Sequence, residues 1–370
     1  MRMRKLLFKD FITLQRGFDL PRKDMVEGPY PVVGSTSIIG WHNEFKKNPP
    51  GVVTGRSGSL GFVQFIKEKY WPHNTSLWVK DYKGNHPQYV YYFLKTVPLA
   101  RFNSGAGVPT LNRNDLDTFE ICIHDYNTQQ KIAAILSAYD DLIENNTRRI
   151  KILEEIAQRI YQEWFVHFHY PDHENDKLTE SELGMIPEGR EVVRVENLVK
   201  RVSPGKLYSQ KTASPKGSVP ILDQGRSGII GYHNEEPGIV ASLNDPIIVF
   251  ANHTCYQRLI LHPFSAIQNV LPFLPCVENY RNIYWLHWAT KDIIEFNDYK
   301  GHWPEFMTKK LFLSPPELCN KFGRIIQPKV YMIFRMQQKN EKLRQIRDLL
   351  LPKLISGKID VSDWILILGR

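Results

Sequence analysis

Apolar and polar residues follow two different rhythms along this chain. Residues 1–127 and 191–313 carry short apolar and aromatic runs broken by Gly, Pro and Asn, a pattern typical of strands joined by tight turns. Residues 128–168 and 314–360 place apolar residues three and four positions apart, which predicts long amphipathic helices. The chain is therefore expected to be α+β, with two mixed modules that are each followed by a long helix.

Short runs predict individual elements inside the modules. Segments 51–55 and 59–66 are rich in β-branched and aromatic residues next to glycines, so we expect strands there. Segments 89–95 and 284–288 are predicted to be short buried helices. Residues 169–190 are polar and rich in turn formers, which indicates a linker, and residues 361–370 are left as a C-terminal tail.

The first long helix is predicted to begin at Asn127, an N-cap residue with Gln130 three positions later. Its stripe keeps a coiled-coil heptad for four repeats, and two of its members, Asn146 and Arg149, are polar. The stripe consists of Ile132, Ile135, Tyr139, Leu142, Asn146, Arg149, Leu153, Ile156 and Ile160.

The second long helix is predicted to open at Ser314-Pro315-Pro316, with proline in the first turn. Pro328 is expected to kink it, and Pro352 to bend or end it before Gly357. Its stripe consists of Phe322, Ile326, Val330, Ile333, Met336, Asn340, Leu343, Ile346, Leu350 and Leu354. We predict the two stripes to pair with each other, with a helix-seam set of Tyr139, Leu142, Asn146, Leu153, Ile156, Ile333, Asn340, Leu343 and Leu350.

The two modules are imperfect copies of each other. Residues 38–44 (IIGWHNE) return as residues 229–235 (IIGYHNE), an offset of 191. The aligned copies differ most where residues 51–57 face residues 238–244, and where the Gly105 loop faces the Gly301 loop. Such a pseudo-two-fold chain is expected to carry two related but different binding surfaces.

Composition favours a polyanionic partner. The net charge is +9 and the pI is about 9.2, as in many nucleic-acid-binding proteins. The excess lies mostly on the second helix: residues 320–358 hold ten Lys/Arg and two Asp/Glu, and residues 128–165 hold five and six. The start resembles no signal peptide, no run is long enough to span a membrane, and the four scattered cysteines indicate core thiols. We expect a cytoplasmic protein.

Motifs for catalysis are missing. Asn48-Pro49-Pro50 lacks the aromatic residue of an amino-methyltransferase motif, and Asn175 stands where a Pro-Asp nuclease needs an acidic residue before Lys177. Neither a nucleotide-binding glycine loop nor a His-x-x-x-His pair occurs. The sequence predicts a non-catalytic chain without its own metal or cofactor.

Loops that mix Gly with Arg, Asn, Gln, Ser and Lys recur in both modules, and these side chains read base edges or hold phosphates. The candidate DNA-binding residues are Ser35, Arg56, Ser57, His73, Asn74, Asn103, Ser104, Asn112 and Arg113 in the first module, and Gln224, Arg226, Ser227, Asn244, His253, Lys300, His302, Lys309 and Lys310 in the second.

Several stretches together resemble the specificity subunits of type I restriction–modification systems. They follow the family's order over nearly the whole chain: residues 28–35 with 39–43, 71–79, 108–116, 150–157, 340–344 and 349–359. The resemblance implies two target-recognition domains separated by two antiparallel conserved helices, and no catalysis by this subunit. It also implies double-stranded DNA as a partner, two methyltransferase subunits that bring S-adenosylmethionine, and restriction subunits that bring ATP and Mg²⁺.

A physical scheme follows from that resemblance. A helix over residues 128–165 spans about 57 Å at about 1.5 Å per residue, on the order of 17 base pairs. We expect the helices to set an unread spacer between two different half-sites. Two alternatives stay open: the recognition subunit of a type IIB-like restriction enzyme, and a coiled-coil adaptor that binds no DNA.

Overall fold

The computed structural model describes residues 3–105, 107–182, 184–188, 190–225, 228–276, 281–296 and 300–363, apart from the side chain of Asn175. The chain forms two compact units. The first unit comprises Met1–Asn145 with Lys339–Arg370, and the second comprises Asn146–Gln338. Each unit therefore contains one module and parts of both long helices.

The first module is built from nine strands and three short helices. In chain order these are β1 (Met3–Leu7), α1 (Phe8–Phe11), β2 (Thr13–Arg16), β3 (Tyr30–Val33), β4 (Ile38–His42), β5 (Gly51–Gly55), β6 (Val63–Ile66), β7 (Trp71–Pro72), β8 (Ser76–Asp81), α2 (Pro87–Thr96), α3 (Arg113–Asp117) and β9 (Glu120–His124). The long helix α4 (Tyr126–Tyr161) follows, ending in a π-helical turn, Gln162–Val166.

The second module follows a small hairpin and repeats this plan. Its elements, in chain order from the hairpin, are β10 (Leu178–Ser181), β11 (Gly184–Pro187), β12 (Glu191–Arg194), β13 (Val199–Arg201), β14 (Leu207–Tyr208), β15 (Val219–Leu222), β16 (Ile229–His233), β17 (Ile247–Ala251), β18 (Gln257–Ile260), β19 (Ser265–Ile267), β20 (Val270–Pro275), α5 (Ile283–Thr290), α6 (Trp303–Thr308) and β21 (Lys310–Leu313). The long helix α7 (Pro316–Ile355) completes it. Single 3-10 turns lie at Arg22–Asp24, Leu99–Phe102, His173–Asn175 and Val195–Asn197.

Strand order shows the internal repeat directly. The main antiparallel sheet has the order β2-β8-β5-β6 in the first module and β13-β20-β17-β18 in the second. A smaller sheet, β4-β3-β7, corresponds to β16-β15-β19-β14, and the pair β1-β9 corresponds to β12-β21. The predicted α+β fold class with a pseudo-two-fold repeat is confirmed.

One part of the predicted alignment between the copies is wrong. The strand order makes β17 the counterpart of β5, so Arg56 corresponds to Asn252 and not to Leu243. The reason is an insertion, because eight residues separate β4 from β5 and thirteen separate β16 from β17. The extra residues form a loop anchored by the backbone pair Ile239–Phe264.

Local turn chemistry also shifts some predicted bounds. The predicted helices at 89–95 and 284–288 are confirmed as parts of α2 and α5, and the strand at 51–55 is confirmed as β5. The strand predicted at 59–66 begins only at Val63, because Gly58 and Gly61 adopt φ of 89° and 91° and turn the chain first. The linker region holds the hairpin β10–β11.

The caps of the long helices differ from the predicted ones. Asp125, not Asn127, caps α4: its carboxylate accepts hydrogen bonds from the Thr128 backbone N–H at 3.1 Å and the Thr128 hydroxyl at 2.8 Å. A carboxylate also suits the positive end of the helix dipole. Helix α7 begins at Pro316, within the predicted opening, and continues past Pro352 to Ile355. Gly357, two residues after the last helical residue, adopts φ of 74° and turns the chain away.

The core of the first unit joins its module to both long helices. Ile132 and Leu136 of α4 and Leu351 and Leu354 of α7 are buried in the same cluster as the aromatic residues of α1 and α2. Nε2 of buried His124 lies 3.0 Å from the carbonyls of both Leu354 and Ile355, so the ring satisfies the last turn of α7. Within this unit the helices pair in the antiparallel sense.

The second unit repeats this arrangement with different side chains. Ala157 of α4 and Phe322 and Ile326 of α7 are buried with the aromatic residues of α5 and α6. Phe165 packs edge-on against both Phe322, at 5.3 Å, and Trp285, at 6.2 Å. Helix pairing is therefore part of the core of each module.

We expect Asp140→Ala to destabilise the first unit. The Asp140 carboxylate accepts a 2.6 Å hydrogen bond from buried Tyr92 and pairs with Arg347, whose side chain is only 16% exposed. Removing it leaves the buried Tyr92 hydroxyl without its acceptor and leaves Arg347 paired with exposed Asp348 alone, which costs about 1–3 kcal/mol. Urea unfolding measures this loss. The control Asp141→Ala, which breaks an exposed pair with Lys67, should cost under about 1 kcal/mol; equal losses would contradict the assignment.

We expect His287 to make the second unit acid-sensitive. Burial and Lys291 lower the pKa of His287 to about 3, and Gln257 donates to its Nδ1 at 3.1 Å. The unfolded chain binds a proton below about pH 6.5, whereas the folded chain does not. Stability is thus complete above that pH, and the free energy of unfolding falls by about 1.4 kcal/mol per pH unit below it.

Urea unfolding at several pH values between about 6.5 and 5 measures this slope. His287→Gln should remove the contribution of His287 to it, and the exposed control His167→Gln should keep it. Equal slopes in the wild type and both variants would refute the idea.

Candidate nucleic-acid interface

Four loops meet at one end of the main sheet in the first module. We call them the first loop cluster: residues 34–37, 56–62, 73–75 and 103–111, without residue 106. The carbonyl of Thr75 accepts hydrogen bonds from the backbone N–H groups of Arg56 and Ser57, at 2.9 and 3.1 Å. The Ser35 hydroxyl lies 2.7 Å from the Ser57 carbonyl and 2.8 Å from the Thr75 carbonyl. Leu111 donates to the Arg56 carbonyl at 2.9 Å, so backbone bonds join the loops.

Predicted site residues also help to hold the last of these loops. The Asn103 side-chain oxygen accepts from the backbone of Gly105 at 3.0 Å and of Thr110 at 2.8 Å. Asn112 caps α3 by accepting from the Asn114 backbone at 3.0 Å. Arg113 donates to the Leu14 carbonyl at 3.0 Å. Ser104 remains exposed at the tip.

Charged side chains ring the first loop cluster. Arg56 is half-buried and donates to the Asn74 carbonyl at 3.3 Å. Asp19 accepts from the Asn74 side chain and pairs with Arg16 at 2.9 Å. The hydrogen bond from Asn74 holds the pKa of Asp19 below its usual value, and burial lowers the pKa of His73. At neutral pH the cluster therefore presents cationic donors beside one carboxylate acceptor.

The second module gathers the corresponding loops. The second loop cluster comprises residues 223–225, 252–256, 268–269 and 300–302. His253 donates its backbone N–H to the Gln224 side chain at 2.8 Å, and its ring Nδ1 lies 2.8 Å from the Lys300 carbonyl. The Asn252 carbonyl accepts a hydrogen bond from the His302 backbone N–H at 2.9 Å. The Asn252 side-chain oxygen accepts one from the Trp303 backbone N–H at 2.8 Å. An open cleft of about 380 Å³ beside this cluster is lined in part by Gln224, Thr254, Tyr256 and Phe296.

One backbone contact is common to both clusters. The N–H of Arg56 meets the carbonyl of Thr75 at 2.9 Å, and the N–H of its counterpart Asn252 meets the carbonyl of Asn269 at 2.9 Å. The scaffold that holds the loops is therefore the same in both modules. The side chains on it differ, with a guanidinium in one copy and a carboxamide in the other.

Not every predicted site residue joins the second cluster. Asn244 is exposed in the inserted loop, where Tyr331 of α7 bonds the carbonyl of the preceding residue. Lys309 and Lys310 lie beyond the far end of α6 and pair with Glu305 and Glu182. His302 belongs to the cluster by position, but it is only 1% exposed, so burial keeps its ring from a surface contact. Arg226 and Ser227 lie outside the described residues.

Three residues absent from the predicted set lie at these clusters: Asp19 contacts Asn74 of the first, and Asn252 and Asn269 belong to the second. Asn252 stands in a polar run that the sequence did single out, but nothing local distinguishes it from neighbouring His253. Its importance follows from the strand order, which aligns it with Arg56.

The predicted helix-seam residues fall into buried and exposed groups. Asn146 and Asn340 are 8% and 3% exposed, and Asn340 lies 3.5 Å from the Ile143 carbonyl. Leu142 and Ile156 are 44% and 37% exposed. The half-buried members are Tyr139, Leu153, Ile333, Leu343 and Leu350.

Reactive groupings are scarce in the described part of the chain. A Ser–His pair, Ser265 Oγ to His233 Nε2 at 2.9 Å, is buried, and Ser265 also accepts from the Gly238 backbone, so the pair holds a loop. Among the described residues no group of His, Cys, Asp and Glu is arranged to hold a metal ion. No described helix is long and apolar enough to cross a membrane.

Comparisons with known proteins agree with this architecture. The family model of the type I restriction modification DNA specificity domain matches residues 8–155. The MjaIX specificity subunit of Methanocaldococcus jannaschii is 27% identical over 340 residues, covering 82% of this chain and 76% of that protein. The HindI specificity subunit of Haemophilus influenzae is 39% identical over 70 residues, 19% of this chain and 15% of that one.

A solved structure shows the same fold. The type I restriction–modification S subunit from M. genitalium superposes with a TM-score of 0.64 at 18% identity, covering 96% of each chain. The chain is thus similar over most of its length to the DNA specificity subunits of type I restriction–modification systems, and residues 8–155 match the specificity domain itself.

Proposed function

We propose that this chain reads an asymmetric, bipartite DNA site, one half-site per module, and performs no catalysis itself. The observation that carries the proposal is the shared backbone contact at Arg56 and Asn252, which supports different side chains in the two loop clusters. A common scaffold with unlike side chains favours two different base sequences.

The chemistry of the clusters suits base reading. Arginine pairs with guanine edges, and Asn or Gln with adenine, through the major groove. Because the loop backbones are bonded to one another, these side chains are held on anchored loops, which favours discrimination between bases. Arg16, Asp19 and Arg56 in the first module, and Gln224, Asn252 and His253 in the second, are the readers that we propose.

The partners and cofactors belong to the same proposal. Two methyltransferase subunits would bring S-adenosylmethionine, and restriction subunits would bring ATP and Mg²⁺. Exposed apolar residues of α4, Leu142 and Ile156, are candidate docking positions for the methyltransferases. The expectation that helix length sets the unread spacer stays a prediction.

We expect Arg56→Ala and His253→Ala to alter different halves of one methylation motif. Methylome sequencing of a host that carries the gene should reveal two unlike half-sites separated by unread bases. Arg56→Ala should relax a position in one half-site only, and His253→Ala in the other, each weakening discrimination by about 1–3 kcal/mol.

Asn244→Ala serves as the control, because Asn244 lies outside the second loop cluster and should leave the motif intact. A continuous palindromic motif, or a motif that both variants change at the same position, would refute the bipartite assignment.

We expect Leu142→Glu to weaken methyltransferase docking without unfolding the chain. Leu142 is exposed, so a carboxylate there disturbs a partner surface more than the core. Leu153→Glu, at a half-buried position, should lower both docking and the unfolding midpoint. Co-purification with the methyltransferase and thermal unfolding measure the two effects; full docking by Leu142→Glu would count against this face.

A further inference from the structure

The basic residues of α7 share one face of the helix. Lys321, Arg324, Arg335, Lys339, Lys342 and Lys353 follow one another at spacings of three, eleven, four, three and eleven residues. Eleven residues make about three turns of 3.6 residues, and three or four make about one, so all six project to the same side. We call these six residues the basic stripe. Three lie in the second unit and three in the first.

Exposure shows that the stripe faces solvent in both units. All six side chains are exposed, and within the described part of the chain none of them forms an ion pair. The acidic residues of α7 after its first turn, Glu341 and Asp348, lie off the stripe. They pair with two basic residues off the stripe, Arg344 at 3.9 Å and Arg347 at 2.8 Å. The third, Lys329, is half-buried and donates to the Ile325 carbonyl at 3.0 Å. The stripe residues, in contrast, are exposed and form no ion pair among the residues that the structure describes.

Helix α4 has no such stripe, although it corresponds to α7 in the repeat. Its region 128–165 holds five basic and six acidic residues. Lys151 pairs with Glu155 at 3.8 Å, and Asp141 and Glu144 bind Lys67 of the first module. Two helices with similar packing roles therefore differ in charge, and packing does not account for the difference.

We propose that the basic stripe binds the phosphate backbone of duplex DNA, outside the bases that the loop clusters read. This inference rests on the proposed function. The occupant is chosen by charge complementarity: a row of six exposed cations, with a single acidic residue, Glu317, on the same face, matches the regular negative charge of a duplex. Between Lys342 and Lys353 the same face carries two exposed apolar residues, Ile346 and Leu349. The proposed phosphate contacts are therefore those of the six basic residues, and the apolar pair makes none. Such contacts add affinity at every sequence and specify none.

The test is the salt dependence of DNA binding by the complex assembled with its methyltransferase subunits. The double variant Lys339→Gln/Lys342→Gln removes two stripe charges. It should lower the slope of log Kd against log salt by about 1.8, since each phosphate contact contributes about 0.9. The decrease should be equal on target and non-target duplexes, and the methylated motif should be unchanged.

Lys151→Gln/Arg344→Gln is the matched control, because it removes two exposed charges that have acidic partners off the stripe. It should leave the slope within error of the wild type. An unchanged slope in the stripe variant, or the same decrease in the control, would overturn the inference. So would loss of methyltransferase co-purification with an unchanged slope, because the stripe would then face an acidic protein surface.

The two proposals fail separately in this experiment. If the wild-type complex binds no DNA, the proposed function fails. If it binds its target and the stripe variant keeps the wild-type slope, the reading function stands and the stripe inference alone is lost.

Discussion

Backbone hydrogen bonds between loops govern how each module can present its polar side chains. A loop at the end of a sheet has N–H and C=O groups that no strand partner satisfies, and leaving them unpaired where water is excluded costs free energy. In the first module the Thr75 carbonyl serves both Arg56 and Ser57, and in the second the Asn269 carbonyl serves Asn252. This backbone contact forms whether Arg56 or Asn252 stands at the position, because it uses no side-chain atom. The side chain there can therefore differ between the copies.

That separation of roles explains why the copies agree in some places and differ in others. The strand order is retained from β2-β8-β5-β6 to β13-β20-β17-β18, since it buries the apolar faces of each sheet. The five extra residues before β17 and the change from Arg56 to Asn252 are accommodated outside it. The long helices behave in the same way: their buried sides complete each core, while α4 and α7 carry very different charges on their exposed sides. In the sheets and in the long helices alike, packing fixes the buried side, and the exposed side differs between the copies.

Much of the fold could be predicted from sequence because its signals are local. Heptad spacing predicted α4 and α7 to within a few residues, and aromatic runs predicted α2 and α5. Competition between neighbouring residues caused the errors at the ends. Asp125 displaced Asn127 as the cap because its carboxylate accepts two hydrogen bonds there, and positive φ angles at Gly58 and Gly61 delayed β6. The family resemblance was likewise carried by motifs that are continuous in sequence, and it holds.

The sequence by itself determined the duplication, the two long helices, the basic charge of the second helix and the family resemblance, since each is carried by spacing, composition or continuous motifs along the chain. Only the tertiary structure decided which loop residues belong together. It aligned Arg56 with Asn252 and placed Asp19 beside the first loop cluster. It also placed Asn244, Lys309 and Lys310 outside the second loop cluster. Strand pairing joins residues far apart in sequence, so an insertion of five residues shifts an alignment while the sheet keeps its order. Which residues face a partner is a property of that pairing, and no local spacing encodes it.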